Sequence, residues 1–451
     1  MAAKSNAHKT GSGVNIRALA LDILLTEEKG EDKSHKLLKA VLDKYDYLDV
    51  SDKSFLKRLV EGTIEYRMSL DYVIDSFSKT PVKKMKPLIR QVMRMSVYQI
   101  LYMDRVPDNA VCDEAVKLVK KRGLAGLSGF VNGVLRSVAR GRDEIKWPDE
   151  AAEPVKALGI KYSCPEQIVK SLIDDYGKDI AVGCLDASLL SDRLTYIRID
   201  ESLPEEKLRQ IVSEIGERHQ GIPDSMFYTV GTDRIDNVTR MPEFAEGFMT
   251  VQDISSQMVC EMAGFDKYAG KSGVQILDMC SAPGGKSMHA ASKLRRHGIS
   301  GSILSLDISE AKQSITDENI TRMHLTDVIT TGVWDATEYN EEYDGRYDLV
   351  LADVPCSGFG VMGRKADIKY NMTPEVLADI VALQHKILDN AVRYVAPGGR
   401  LVFSTCTMRK AENDAGKEYI LAKGGYSLVT EKQLFLSKDN DGFYIAVFER
   451  V

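Results

Sequence analysis

The sequence lacks the features that define several protein classes. No apolar run approaches the roughly 18 to 20 residues of a transmembrane helix, and the N-terminal segment MAAKSNAHKTGSG has no apolar signal core. The seven cysteines are scattered, odd in number and without a C-x-x-C pair, so neither a disulfide framework nor a zinc site is indicated. We therefore expect a cytoplasmic protein with reduced thiols, no membrane association and no bound metal.

Charge is distributed unevenly along the chain. The formal net charge is −6, but residues 1–146 carry 27 lysines and arginines against 19 acids, and the remainder carries 33 against 47. A basic part attached to an acidic part indicates that the first one handles a polyanion such as RNA. A lysine-rich, solvated helical surface without such a partner stays an alternative at this point.

Length and periodicity predict three domains. A chain of 451 residues exceeds the usual limit for one hydrophobic core. Residues 1–146 show helical spacing of apolar residues almost throughout, which predicts an all-α domain. A linker and a small α+β module are predicted at 147–240. From 241 to 451, strands alternate with helices, which predicts a mainly parallel, doubly wound sheet whose ligand lies beyond the carboxyl ends of the strands.

The stretch from Val274 to Lys286, VQILDMCSAPGGK, predicts a buried strand that breaks into a glycine-rich loop and then starts a helix. Adjacent Gly284 and Gly285 allow a ligand to approach the backbone closely, and the helix start exposes unpaired N–H groups. An ordinary strand-to-helix turn would show the same local pattern. Whether this stretch binds a ligand must therefore be judged from the residues at the ends of the other predicted strands.

Acids and cysteines recur at or just after the ends of the predicted strands, including the strand that begins at Val274. They are Asp278, Asp307, Asp335, Asp353, Cys356 and Cys406. The loop is neither the G-x-G-x-x-G of dinucleotide-binding proteins nor a P-loop. A carboxylate after the second strand can accept hydrogen bonds from ribose hydroxyls. A nucleoside cofactor without a pyrophosphate, such as S-adenosylmethionine, therefore fits these carboxylates better than a dinucleotide or a nucleoside triphosphate does.

Motifs across nearly the whole chain closely resemble the RNA cytosine-5 methyltransferases of the Sun and nucleolar-protein family. In the C-terminal part they are DMCSAPGGKS, LDIS, DVPCSGFGVMGR, KADIKY and FSTCTMRKAEN. The N-terminal helices resemble the NusB-like domain that precedes the catalytic domain in the members acting on 16S ribosomal RNA. The resemblance implies an all-α NusB-like domain, a small α+β module and a Rossmann-like methyltransferase domain. It also implies an S-adenosylmethionine cofactor and a ribosomal RNA substrate; we expect a monomer.

The resemblance also implies roles for individual residues. The methionine end of the cofactor would be held by Cys280, Ser281, Ala282, Pro283, Gly284, Gly285 and Lys286. Asp307 would bind the ribose and Asp335 the adenine edge, and Asp353 would lie between the cofactor and the target base. Cys406 would be the nucleophile, and Cys356 would assist release of the product.

Some positions depart from the family pattern. Ser281 stands where alanine is commoner, Lys365-Ala366 replace a His-Pro pair, Gln167 replaces a frequent tryptophan, and Ala411 replaces a frequent acid. None removes a catalytic group. Two alternatives stay open: the same chemistry on transfer RNA, and a non-catalytic NusB-like RNA-binding assembly factor. Retention of both Cys356 and Cys406 argues against the second.

Overall fold

The computed structural model of the chain describes residues 13–30, 34–189, 193–215, 226, 228–233 and 235–451. The chain divides into two compact units: Met1–Ile173 with Lys365–Asn371, and Asp174–Arg364 with Met372–Val451. Within the described residues, no helix combines the length and apolarity needed to cross a membrane.

The first unit is helical. Its elements are α1 (Ile16–Glu28), α2 (Ser34–Lys44), α3 (Val50–Glu65), α4 (Arg67–Phe77), α5 (Pro87–Tyr102), α6 (Asp108–Lys121), α7 (Ser128–Gly141), α8 (Pro154–Lys161) and the first part of α9 (Glu166–Tyr176). Local signals start them: the Asn15 side chain accepts a hydrogen bond from the backbone N–H of Ala18 in α1, and proline is the first residue of α5. Apolar faces meet in a core that includes Leu21, Leu56 and Val92. The predicted all-α architecture is confirmed.

A short segment from the C-terminal half of the sequence also belongs to this unit. In Lys365–Asn371, the ammonium of Lys369 is buried and donates to the carbonyl oxygen of Glu65 at 3.0 Å. The hydroxyl of Tyr370 donates to the carbonyl of Ser163, also at 3.0 Å. Burial raises the pKa of Glu65 to about 7 and lowers that of Lys369 to about 8. The KADIKY motif is thus part of the helical unit.

The second unit begins with a small α+β module. Strands β1 (Thr195–Ile199), β2 (Thr229–Thr232) and β3 (Met249–Val251) form an antiparallel sheet in the order β2-β1-β3. Its helices are α10 (Lys178–Ala187), α11 (Glu205–Ile215), α12 (Ile235–Val238) and α13 (Pro242–Ala245). The sequence predicts a strand over 225–230; residues 225 and 227 lie outside the described residues, and β2 begins at Thr229.

A seven-stranded sheet forms the rest of the second unit. Its strands are β4 (Val274–Asp278), β5 (Gly301–Asp307), β6 (Ile329–Val333), β7 (Tyr347–Asp353), β8 (Val395–Thr405), β9 (Tyr426–Leu434) and β10 (Phe443–Arg450), and its helices are α14 (Ile254–Ala263), α15 (Gly285–Arg296), α16 (Glu310–Arg322), α17 (Pro374–Tyr394) and α18 (Lys410–Ala422).

The strand order is β6-β5-β4-β7-β8-β10-β9. The five strands from β6 to β8 are parallel, and β10 runs antiparallel to both of its neighbours. The predicted doubly wound, mainly parallel sheet is confirmed. Its order reverses between β4 and β7, the point beyond which ligands bind in such sheets.

A buried polar cluster joins the small module to α14 and α15. The ammonium of Lys293 lies 2.7 Å from Glu261 Oε1 and 3.1 Å from Glu201 Oε2, and His289 Nε2 lies 3.4 Å from Glu261 Oε1. The two carboxylates and the imidazole are close enough to hold a metal ion, but the lysine ammonium already provides their positive charge. Burial lowers the pKa of His289 to about 3, so this imidazole is neutral.

Candidate active site

The site lies along the carboxyl ends of the parallel strands. Asp278 ends β4, Asp307 ends β5 and Asp353 ends β7, and Cys406 directly follows β8. Because these four strands are neighbours in the order β5-β4-β7-β8, their ends share one edge of the sheet. Asp335 is two residues beyond β6, on the outer side of β5.

The loop after β4 has the tight geometry that its glycines predict. Gly284 has φ +89° and precedes α15, and a Cβ there would lie 2.6 Å from Thr316 Cγ2. A Cβ on Gly285 would meet no described protein atom closer than 3.7 Å. Packing within the protein therefore requires glycine at the first position but not at the second. Gly285 is partly exposed, which leaves its backbone accessible to a bound molecule.

The beginning of this loop is connected to β5. Asp307 Oδ2 accepts the backbone N–H of Ala282 at 3.2 Å, and Asp307 Oδ1 accepts that of Ser309 at 2.9 Å. Each carboxylate oxygen still has a lone pair for a ligand hydroxyl. The buried Oγ of Ser281 has no hydrogen-bond partner among the described residues. A carboxylate and this hydroxyl, in a loop with a partly exposed glycine, suit the polar parts of a nucleoside cofactor.

The other predicted cofactor residues lie on either side of these groups. Asp335 Oδ1 accepts the backbone N–H and the hydroxyl of Thr337, at 2.9 and 2.8 Å, which fixes the turn after β6. Pro283 is exposed and follows a cis peptide bond. Burial raises the pKa of the Cys280 thiol well above its usual value, so this cysteine is an uncharged group in the loop wall.

Lys286 links the loop to β7. Its Nζ lies 2.6 Å from Asp353 Oδ2 and 3.2 Å from the hydroxyl of Ser256. The other carboxylate oxygen of Asp353 accepts the hydroxyl of Ser404 at 2.8 Å. Burial alone would lower the pKa of Lys286, but the Asp353 carboxylate outweighs it and the pKa is raised. Asp353 is thus held at both oxygens by charged and neutral donors.

The two cysteines predicted to act in one reaction are in contact. Their Sγ atoms lie 3.2 Å apart, although Cys356 and Cys406 are 50 positions apart in the chain. Neither side chain is fully buried. The hydrogen bond with Cys406 and, after it, burial raise the pKa of Cys356 well above its usual value. The raised pKa keeps a proton on Cys356 within the pair.

Sequence reasoning missed the side chains that support these groups, namely Ser256, Gln384, Ser404 and Glu412. None carries a signal that separates it from ordinary polar residues, although Ser404 and Glu412 lie within the quoted motif FSTCTMRKAEN. In the structure Ser404 and Ser256 contact the Lys286–Asp353 pair, whereas Glu412 and Gln384 contact the loop of Cys356.

Two protein families match the chain. Residues 14–140 match the NusB family, and residues 268–449 match the family described as 16S rRNA methyltransferase RsmB/F. The probable ribosomal RNA small subunit methyltransferase B of Bacillus subtilis is 35% identical, covering 89% of this chain and 86% of the relative. The protein of that name from Synechocystis is 30% identical, covering 90% and 89%.

Solved structures share the fold. The crystal structure of PH0851 superposes with a TM-score of 0.76 at 20% identity, covering 97% of this chain and 99% of that one. The structure of NSun6 from Pyrococcus horikoshii with SFG gives a TM-score of 0.51 at 16% identity, covering 64% of this chain and 98% of the other. At these identities the likeness concerns the fold alone.

Proposed function

The chain belongs to the RsmB family of 16S ribosomal RNA methyltransferases, and we propose that it methylates carbon 5 of a cytosine in 16S ribosomal RNA through a covalent cysteine adduct. The observation that carries the proposal is the contact between Cys356 and Cys406 at the sheet edge that also holds Asp353 and the glycine-rich loop. Two thiols in contact beside a nucleoside-type site suit few reactions other than this one.

S-adenosylmethionine, when bound, supplies an electrophilic methyl group on its sulfonium sulfur. Residues Cys280 to Lys286 hold its methionine end, and the carboxylate of Asp307 accepts hydrogen bonds from the ribose hydroxyls. Asp335 binds the adenine edge. The partly exposed backbone at Gly285 supports this assignment, and so does the hydroxyl of Ser281, which has no hydrogen-bond partner among the described residues. None of these residues takes part in bond making; they orient the methyl group toward the base.

Carbon 5 of cytosine is a poor nucleophile, and this determines what the protein must supply. The thiolate of Cys406 adds to carbon 6, and the electron pair of the 5,6 double bond becomes available at carbon 5 for the methyl group. Asp353, sharing a proton with ring nitrogen 3, stabilises the electron-rich ring. Its fixed position between Lys286 and Ser404 supports this role.

Release of the product needs a second group. After methylation the proton on carbon 5 passes to solvent water, and its electron pair restores the 5,6 double bond. The bond from carbon 6 to the Cys406 sulfur breaks at the same time, and its electron pair leaves on that sulfur. Cys356 assists this elimination by donating its thiol hydrogen to the leaving sulfur. The distance of 3.2 Å between the two sulfur atoms supports this role of Cys356, because a group in contact with the Cys406 sulfur also lies close to the covalent adduct on that sulfur.

The basic N-terminal part, residues 1–146, contacts the RNA backbone. The excess of lysine and arginine in this part supports phosphate contacts. Because the sequence of this part contains no base-reading motif, we assign it a docking role, and the target cytosine is selected by how the RNA enters the catalytic site. The protein acts as a monomer.

The test uses purified full-length protein, S-adenosylmethionine labelled in its methyl group, and transcripts of 16S ribosomal RNA and of a transfer RNA pool. Nucleoside mass spectrometry should find labelled 5-methylcytosine in the 16S RNA only. Label confined to transfer RNA would favour the alternative substrate. RNA binding without any methylation would favour the non-catalytic assembly factor.

A further inference from the structure

A buried carboxylate lies behind the two cysteines. Glu412 is fully buried in the first turn of α18. Its Oε2 accepts the backbone N–H of Ser357 at 2.9 Å and the side-chain amide of Gln384 at 3.0 Å. Its Oε1 accepts Arg409 Nη1 at 3.0 Å. Burying a carboxylate costs free energy unless hydrogen-bond donors satisfy it, and here three donors do so.

The same contacts hold both sides of Cys356. The Gln384 amide that donates to Glu412 also donates to the carbonyl oxygen of Pro355, at 2.9 Å. The carbonyl before Cys356 and the N–H after it are therefore fixed by one hydrogen-bonded pair of side chains, from α17 and α18. A backbone restrained on both sides has little freedom to turn its side chain away.

Further contacts join the Cys356 loop to the segment of Cys406. The hydroxyls of Ser357 and Thr407, each directly after one of the cysteines, lie 2.7 Å apart. The N–H of Gly360 donates to the carbonyl of Cys406 at 3.0 Å, and a Cβ on this glycine would lie 2.8 Å from that oxygen. These contacts hold the two segments at a fixed distance from each other. The negative charge of Glu412 also helps to raise the pKa of the Cys356 thiol.

We propose that Glu412 is a positioning residue: through Ser357 and Gln384 it holds the loop of Cys356 so that the two sulfur atoms stay in contact. This inference rests on the proposed two-cysteine reaction and adds a residue that touches neither cofactor nor base. Its loss moves Cys356 without removing a reacting group. A misplacement of about 1 Å can lower a rate by roughly 100-fold.

The first test measures the geometry without RNA or cofactor. Diamide, whose N=N bond takes up two hydrogens, oxidises adjacent thiols to a disulfide, and mass spectrometry of linked peptides follows the Cys356–Cys406 product. Glu412→Gln replaces one acceptor oxygen by a donor, and Glu412→Ala removes both. We expect this link to form at least about tenfold more slowly in both variants. Glu418→Gln, exposed on the same helix, is the matched control and should behave as wild type.

The second test measures the reaction. In Glu412→Gln, we expect kcat for RNA methylation to fall by roughly 100-fold. The KM for S-adenosylmethionine should be unchanged, because the hydrogen bonds described for Glu412 go to Ser357, Gln384 and Arg409, outside the cofactor loop. Protein linked to RNA should also accumulate, since resolution of the adduct is impaired more than its formation. Thermal unfolding identifies a variant that does not fold, and Glu412→Gln retains the shape of the side chain should Glu412→Ala fail.

The outcomes separate the two proposals. A disulfide formed at the wild-type rate in folded Glu412→Gln would overturn the positioning role, and so would slow disulfide formation with normal methylation. A wild-type protein that does not form the link would contradict the sulfur contact itself. If the wild type links its cysteines readily and the variants do not, yet no RNA is methylated, the positioning of Cys356 stands and the proposed reaction fails.

Discussion

Substitution of Asp307 should weaken cofactor binding without weakening RNA binding. Its carboxylate accepts the backbone N–H groups of Ala282 and Ser309 and retains lone pairs that can accept the ribose hydroxyls. Asp307→Ala removes the charged hydrogen bonds to the ribose, and we expect a total loss of about 1 to 3 kcal/mol of cofactor binding free energy. The dissociation constant for S-adenosylmethionine should therefore rise by roughly 5- to 150-fold.

Isothermal titration calorimetry measures the cofactor affinity, and filter binding measures RNA affinity on the same preparations. Asp307→Asn, which keeps the shape and one acceptor oxygen, should lie between wild type and Asp307→Ala. Asp327→Ala is the matched control, because its carboxylate is exposed on the surface and pairs only with Arg295 in the described structure. Unchanged cofactor affinity in folded Asp307→Ala would refute the assignment of this residue.

Two further predictions concern RNA binding and acid stability. Replacing the exposed Lys83 and Lys84 by alanine should reduce the dependence of RNA affinity on salt. The slope of log affinity against log salt should fall in magnitude by roughly 0.7 to 0.9 for each phosphate group that the protein no longer neutralises. An unchanged slope would show that these two lysines do not contact the RNA. The pKa of His289 is lowered by burial to about 3, below its unfolded value, so its contribution to stability is full above about pH 6.5 and is lost as pH falls. Urea unfolding should show that His289→Asn loses about 2 kcal/mol less than wild type between pH 7.5 and 5; equal losses would contradict a neutral, buried imidazole.

The features that sequence reasoning predicted best are those with strong local patterns. The run YDLVLAD predicts a strand over Tyr347–Asp353, because it is short, apolar and ends at an acid, and β7 has these bounds. Its core residues are buried on both faces, so apolar character marks nearly every position. Spacing also predicted that acids and cysteines would gather at one sheet edge, since parallel strands bring their carboxyl ends together.

Elements without such patterns were missed. Strand β9, Tyr426–Leu434, is the outer strand of the sheet, and most of its side chains are exposed, so it shows no apolar run. The run Ala396-Pro397-Gly398-Gly399 predicts a turn, but β8 extends over Val395–Thr405 and includes it. The pairing with β7 is irregular at this point: Tyr347 pairs with Val395 and Leu349 with Arg400, so the register shifts across the proline and the two glycines.

Long-range contacts were beyond sequence reasoning for a different reason. Lys365–Asn371 packs within the helical unit although its neighbours in the chain belong to the other one, and no local pattern encodes that partner. The predicted domain limits at 146 and 240 therefore stay predictions. The role of Glu412 depends likewise on backbone groups 55 positions away. Only the resemblance to a family indicated the individual roles of Cys356 and Cys406.

The order of the two cysteines tests the central claim most directly. Each single variant is incubated with RNA and S-adenosylmethionine, and a denaturing gel detects protein linked to RNA. If Cys406 attacks carbon 6, Cys406→Ala should give neither methylation nor adduct. Cys356→Ala should form the methylated adduct and fail to resolve it, so linked protein accumulates. An adduct trapped with Cys406→Ala and absent with Cys356→Ala would contradict this account and reverse the two roles.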